Sequence, residues 1–327
     1  MVALCVVSAV EATGKTAICA GLGKFLQGNG KKVGFLKLVS AEKNGADSDA
    51  AFMKQVLNLP EAVESLCPLA GDVKKIKEAY DKTAKGKDVI IVECRLGYSA
   101  DDTMSQTSYE IAKVLAARVI VIEAYSGRAS RFVEGYKGFG KSLLGVVLNK
   151  VPASQLKRVQ DEASKQFGAA GINVLGVLPE DRVLFAITVG ELADSIQGKI
   201  LNNAEKSVEL VENFMLGAMV VDSGLDYFGR KSNKAAVVRG DRPDMQLAAL
   251  ETSTRCLVLS GSNQPPIYSV LQKAENRGIP IISTVKATSD IVTSIENALS
   301  QGKFNQEKKL PKLAEIMKQH LNLKAVL

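Results

Sequence analysis

The sequence predicts an α/β fold, a doubly wound and mostly parallel sheet followed by a second, smaller α/β domain. Short runs rich in Val and Ile alternate with segments of helical periodicity, the pattern of strands covered on both faces by crossover helices. That alternation closes near residue 186 and then starts again. At 327 residues, 46% hydrophobic and 24% charged, the chain is long enough to bury two cores.

The elements follow in order. The strand ALCVVSA leads to a helix from about Lys15 to Gly28. The strand KVGFLKLV leads through a polar loop to the helix DAAFMKQVLNL. The helix KKIKEAYDKTAKGK precedes DVIIVEC, and SQTSYEIAKVLA precedes ARVIVIEAY. SLLGVVLNKV precedes the helix SQLKRVQDEASKQFG, and INVLGVLPED closes a first domain over 1–186. In the second domain, 187–327, TVGELADSIQGKIL reads as a helix and a short strand. NKAAVVRGDRPD and RCLVLSGSNQPP read as strand and loop, and the helices MQLAALETS and IYSVLQKAENRG follow them. IPIISTV is a strand and TSDIVTSIENALS a helix. Leu310, Leu313, Met317 and Leu321 recur at helical spacing, so the tail reads as a docked amphipathic helix of this second domain.

Composition removes several function classes. There is no Trp and a single His, His320, which excludes a His-rich metal site. The five cysteines form no CxxC pair and read as small buried hydrophobes in a reducing compartment. The N-terminus lacks a basic region and a long apolar core, and no run approaches the roughly 18 apolar residues of a membrane span. A cytoplasmic protein without membrane contact is expected. The net charge of +7 comes from scattered lysines without interleaved aromatics, so anionic small ligands are expected and nucleic acid is not.

The segment SAVEATGKTA joins the first strand to the first helix. A phosphate-binding loop needs backbone N–H groups aimed at one anion, a helix N-terminus behind them, a Lys and a hydroxyl. Gly14, Lys15 and Thr16 supply the end of that pattern, while Ala9 stands where its first glycine belongs. Lys37 lies at the end of the second strand, Asp47 and Asp49 just before the next helix, and Glu93 at the end of the third strand. Strand C-termini of a parallel sheet share one edge, where ligands bind. Lys15, Thr16, Lys37, Asp49 and Glu93 are therefore expected in one crevice, where two carboxylates and a hydroxyl suit Mg²⁺. Taken singly, each has a plainer reading: an incidental turn, a solvated Lys37, a helix-capping Asp49, a strand-end Glu93.

This constellation resembles the dethiobiotin synthetase group of P-loop enzymes, which includes the cobyrinic acid a,c-diamide synthases. The resemblance rests on Gly14-Lys15-Thr16, GFLKLV with Lys37, DSDA with Asp49, VEC with Glu93, VLNKV with Asn149 and GVLPED with Pro179. It implies ATP and Mg²⁺ as cofactors. Lys15 would hold the β/γ-phosphates and Lys37 charge on the γ-phosphate or a substrate anion, both as catalytic residues. Thr16, Asp49 and Glu93 would hold the metal. The backbone of Glu11, Ala12, Thr13, Gly14, Lys15, Thr16 and Ala17 would cradle the phosphates, with Asn149 and Pro179 at the base. ATP is preferred over GTP, since NKVP lacks the Asp of a guanine motif. The resemblance also implies a homodimer.

The second half resembles the DRTGG domain through GDRPDMQLAALETSTRCLVLSGS. Gly240, Asp241, Arg242, Ser260 and Gly261 are its candidate ligand loop, with Arg242 gripping a small anion. The plainer alternative pairs Arg242 with Asp241 and Asp244 at the next helix. Together the two halves resemble the N-terminal part of long bacterial phosphate acetyltransferases, read here as a stand-alone phosphotransacetylase-family protein without the acetyltransferase and glutaminase domains. Glutamine-dependent amidation needs a Cys nucleophile with a His base, and His320 lies in the tail. Departures from the family are Val10 in place of its early acid, with Glu11 beside it, and Cys94 in place of a glycine, where its side chain could crowd a substrate carboxylate. Three functions are expected in order: an ATP/Mg²⁺-binding protein coupled to a DRTGG regulatory or ligand-sensing domain, an ATP-dependent carboxylate-activating ligase, and a degenerate scaffold.

Overall fold

A computed structural model describes residues 1–38, 47–68, 72–96, 106–128, 130–217, 224–300, 302 and 304–326. The loops 39–46 and 97–105, which follow the second and third predicted strands, lie outside the described residues. The chain divides into two compact units, Met1–Asp181 with Phe304–Leu327, and Arg182–Lys303.

In the first unit, β1 (Val2–Ser8), α1 (Lys15–Gly28), β2 (Val33–Lys37), α2 (Ser48–Leu57), α3 (Val73–Thr83) and β3 (Val89–Arg95) come first. Then follow α4 (Gln106–Val114), β4 (Arg118–Ala124), α5 (Val133–Lys137), β5 (Leu143–Val151), α6 (Leu156–Ala169) and β6 (Val174–Pro179). The six strands run in the order β2-β3-β1-β4-β5-β6, and every pairing is parallel. The chain thus builds to one side of β1 and then crosses to the other. That reversal opens a crevice at the C-terminal strand ends, the usual ligand position of such sheets. Val6, Val7, Phe35, Ile91, Val92 and Ile120 are almost wholly buried, as strands covered on both faces require.

The second unit contains α7 (Arg182–Phe185), β7 (Ile187–Thr188), α8 (Val189–Ser195), β8 (Lys199–Ile200), β9 (Leu210–Val211), β10 (Asn213–Gly217) and α9 (Gly224–Gly229). It continues with β11 (Lys234–Arg239), α10 (Pro243–Leu250), β12 (Thr254–Ser260), α11 (Tyr268–Asn276), β13 (Ile281–Ser283) and α12 (Thr288–Ser300). Its sheet runs β10-β11-β12-β13-β8, parallel except for the antiparallel edge strand β8. Phe228, Met245 and Val270 from α9, α10 and α11 fill one side, and Leu192, Ile291 and Ile295 from α8 and α12 the other. The sequence pattern misses β10, which opens this sheet.

One assignment is corrected. The tail helix α13 (Leu310–His320) belongs to the first unit, not to the second domain. Its apolar stripe, Leu313, Ile316 and Met317, is buried. A Cβ on Gly21 of α1 would lie 2.2 Å from Met317 Sδ, so the absence of a side chain there lets the two helices close. Beyond the helix, Asn322 N–H donates to Leu175 O of β6 at 2.8 Å. The inter-unit division falls after Asp181, a few residues before the position read from sequence.

Candidate functional site

The loop between β1 and α1 is shaped by two left-handed residues, Ala12 at φ 54° and Gly14 at φ 90°. Ala9 is not among the positive-φ residues and is 8% exposed, so a small side chain suffices where the pattern asks for glycine. No backbone N–H from Val10 to Ala17 donates to an acceptor among the described residues. These donors stand open in front of the N-terminus of α1, whose dipole favours an anion.

Two side chains from the end of β5 hold the loop. Asn149 Nδ2 donates to Thr13 O at 2.8 Å, and Lys150 Nζ donates to Ala12 O at 2.7 Å. With those carbonyls engaged from behind, the N–H groups are left for the opposite side. Asn149, expected to read a base, in this arrangement fastens the loop. Pro179 ends β6, which the sheet order separates from β1 by β4 and β5, roughly 14 Å at ordinary strand spacing.

The remaining predicted residues meet. Thr16 Oγ1 donates to Glu93 Oε1 at 2.9 Å and lies 3.5 Å from Asp49 Oδ2. Lys37 Nζ pairs with Asp47 Oδ1 at 3.0 Å and with Asp49 Oδ2. Asp47 also caps α2, accepting from Asp49 N and Ala50 N. The plainer capping role therefore falls to Asp47, leaving Asp49 in the crevice. Lys15 Nζ donates to Ser8 Oγ at 2.7 Å.

Electrostatics follow from burial. Glu93 is 4% exposed, and burial pushes its carboxyl up, with Asp49 adding to the rise against the pull of Lys37, Lys15 and Thr16. Its Oε2 is buried and has no hydrogen-bond partner among the described residues. Burial opposes the charge of Lys37, yet the hydrogen bond and charge of Asp49, with Glu93 and Asp47, carry its pKa above the lysine range. Among the described residues no three His, Cys, Asp or Glu gather as a metal site of their own. Thr16, Asp49 and the orphaned oxygen of Glu93 nevertheless form a hard-oxygen set that fits a Mg²⁺ ion completing its shell with phosphate oxygens and water.

Cys94 is corrected. It lies in the apolar cluster with Cys5, Leu36 and Val92, because neighbouring residues of a strand face opposite sides and Glu93 faces the crevice. Burial pushes its thiol up to about 12. It neither crowds the crevice nor offers a thiolate.

In the second unit the two predicted loops share one edge, since Arg239 and Ser260 are aligned partners. Gly240 N donates to Ser260 O at 2.9 Å, and a Cβ on Gly240 would lie 2.4 Å from Ser262 Cβ. Gly261 turns at φ 66°, and Ser260 Oγ lies 2.9 Å from Thr288 Oγ1. Asp241 pairs with Arg239. Arg242 forks onto Asp244, with Nε to Oδ1 at 3.0 Å and Nη2 to Oδ2 at 2.8 Å. The plainer of its two readings is therefore observed in the pairing with Asp244. Sequence reasoning missed Gln246, which is wholly buried and donates through Nε2 to Arg239 O and Gly240 O, tying down the loop.

A parallel six-stranded sheet with a glycine-lysine-threonine loop between its first strand and helix defines the class: a P-loop α/β protein. The chain belongs to the AAA domain family, whose model matches residues 3–188, and a DRTGG domain model matches residues 191–298. The phosphate acetyltransferase of Pseudomonas aeruginosa is 24% identical over 357 residues, covering 94% of this chain and 49% of that one. This chain thus spans about half the length of the phosphate acetyltransferases it matches. The ATP-dependent dethiobiotin synthetase BioD of Methanococcus vannielii is 24% identical over 191 residues, 52% of this chain and 89% of that one. Among solved structures, cobyrinic acid a,c-diamide synthase from Mycobacterium smegmatis with bound ADP and magnesium aligns at TM-score 0.39 and 18% identity, covering 55% of this chain and 87% of that chain. The synthetase-like P-loop domain joined to a DRTGG domain, read from the motifs, is the architecture found.

Proposed function

We propose that this chain binds ATP with Mg²⁺ at the carboxyl edge of its first sheet, and that its DRTGG unit is a ligand-sensing or regulatory partner of that site. The observation carrying this is the unpartnered, buried Oε2 of Glu93 beside Thr16, in a crevice rimmed by Lys15, Lys37 and open loop N–H groups. A bound divalent cation would supply charge neutralisation for the phosphates. Lys15 would leave Ser8 for the β/γ-phosphates, and Lys37 would stand beside the terminal phosphate or a substrate anion. Gly240, Asp241, Arg242, Ser260 and Gly261 are proposed as the ligand face of the second unit, with Arg242 exchanging Asp244 for the ligand.

Calorimetry tests the first statement. MgATP binds with micromolar affinity, chelation of Mg²⁺ weakens it, and Lys15→Ala abolishes it. No binding by the intact chain contradicts the proposal and favours the scaffold. Turnover without a partner stays below about 1 per second. A second reading, an ATP-dependent carboxylate-activating ligase, is favoured by one observation: Cys94 faces the core and leaves the crevice beside Glu93 open to a substrate. Faster ADP release stimulated by a defined small acid, and collapsing in Lys37→Ala, replaces the sensor with the ligase.

A further inference from the structure

β3 presents Glu93 and Arg95 to one face of the sheet, and their aligned neighbours, Lys37 on β2 and Ser8 on β1, share that face. Lys15 and Thr16 meet the sheet there, on Ser8 and Glu93. Arg95 is thus a third cation at the crevice, one that the motif reading passed over. Its Nη1 donates to Glu11 Oε1 at 2.6 Å, reaching back to the phosphate loop from the adjoining strand end. Their side chains are 58% and 77% exposed, so water screens the pair and it contributes little. Lys15 and Lys37 are held in the same manner, by Ser8 and by the carboxylates of Asp47 and Asp49.

We propose that Arg95 binds the terminal phosphate of a nucleoside triphosphate, and that Glu11 holds its guanidinium until the ligand arrives. The proposal rests on the nucleotide reading above. A guanidinium donates two parallel N–H groups to a phosphate, and that charge-assisted pair outweighs a screened surface carboxylate. The terminal phosphate is singled out because Arg95 is aligned with Ser8, the residue that receives Lys15. Glu11 acts as a competitor built into the loop. The orphaned Glu93 oxygen, buried on the same face two residues earlier on β3, independently points to a cationic ligand component beside this position.

The test titrates the full chain with MgATP and MgADP in wild type, Arg95→Ala, Arg95→Lys, Glu11→Gln and Lys15→Ala. Arg95→Ala weakens MgATP about tenfold or more, as loss of a charge-assisted hydrogen bond does, and MgADP less than about threefold. Arg95→Lys recovers part of the loss, and Glu11→Gln tightens MgATP severalfold. Thermal melting shows all variants folded, as an exposed pair allows. Wild-type MgATP affinity in both Arg95→Ala and Glu11→Gln, while Lys15→Ala abolishes binding, overturns the role of Arg95 and leaves the nucleotide site standing. Equal losses of MgATP and MgADP overturn the assignment to the terminal phosphate. Absence of MgATP binding in the wild type overturns both.

Discussion

Gly14 turns the loop at φ 90°, and a Cβ there would lie 2.4 Å from Asn149 Nδ2. Gly14→Ala must therefore strain the backbone and push Asn149 away from Thr13 O. The expected loss is about 1–3 kcal/mol of stability, seen as a lower melting temperature, together with at least a tenfold loss of MgATP affinity. Unchanged melting and affinity would contradict the clasp described here. Lys15, Thr16, Lys37 and Glu93 were legible in the sequence because they stand at or just beyond strand ends, which parallel topology gathers, and Asp49 because it opens the helix that follows the second strand. The grip of Asn149 and Lys150 on the loop was not. It depends on β4 being inserted between β1 and β5, and on the left-handed backbone of Lys150. The pairing of Glu11 with Arg95 joins residues 84 positions apart and leaves no local trace. For Cys94 a signal did exist: on a strand, a residue next to a crevice-facing Glu93 must face the other way.

At the scale of elements, periodicity identified α1 and the apolar strands, whose burial leaves little choice. It failed where elements are short or their partners distant. β10 is a five-residue strand in a stretch without clear alternation. The stripe of α13 told that the helix docks, not where. A hydrophobic stripe needs apolar cover but does not name it, and here α1 supplies it through Gly21. Since Met317 is 2% exposed, Met317→Ala should cost about 2–5 kcal/mol. Because the tail packs against α1, the loss should appear in the melting of the first unit and lower MgATP affinity as the phosphate loop loosens. A melting curve matching the wild type would show that the tail does not support that unit.

Across the whole molecule, the second unit interrupts the first between Asp181 and Phe304, and each unit has its own buried core. The AAA domain and DRTGG domain matches fall on these units in turn. Lys234, at the start of β11, is wholly buried with Nζ donating to Lys231 O, Thr252 Oγ1 and Ser253 O, so this interior charge of the second unit is satisfied locally. In the first unit the protein's own groups now occupy the cations: Ser8 holds Lys15, Asp47 and Asp49 hold Lys37, and Glu11 holds Arg95. The most direct test of this arrangement is a crystal structure of the intact chain with a non-hydrolysable ATP analogue and Mn²⁺, whose anomalous scattering marks the cation. The account predicts phosphates against the N–H groups of Glu11 to Ala17, Lys15 turned from Ser8 onto them, and the Mn²⁺ peak beside Thr16 and Glu93. Nucleotide density elsewhere, or a cation away from Glu93 with Lys15 still on Ser8, would contradict it.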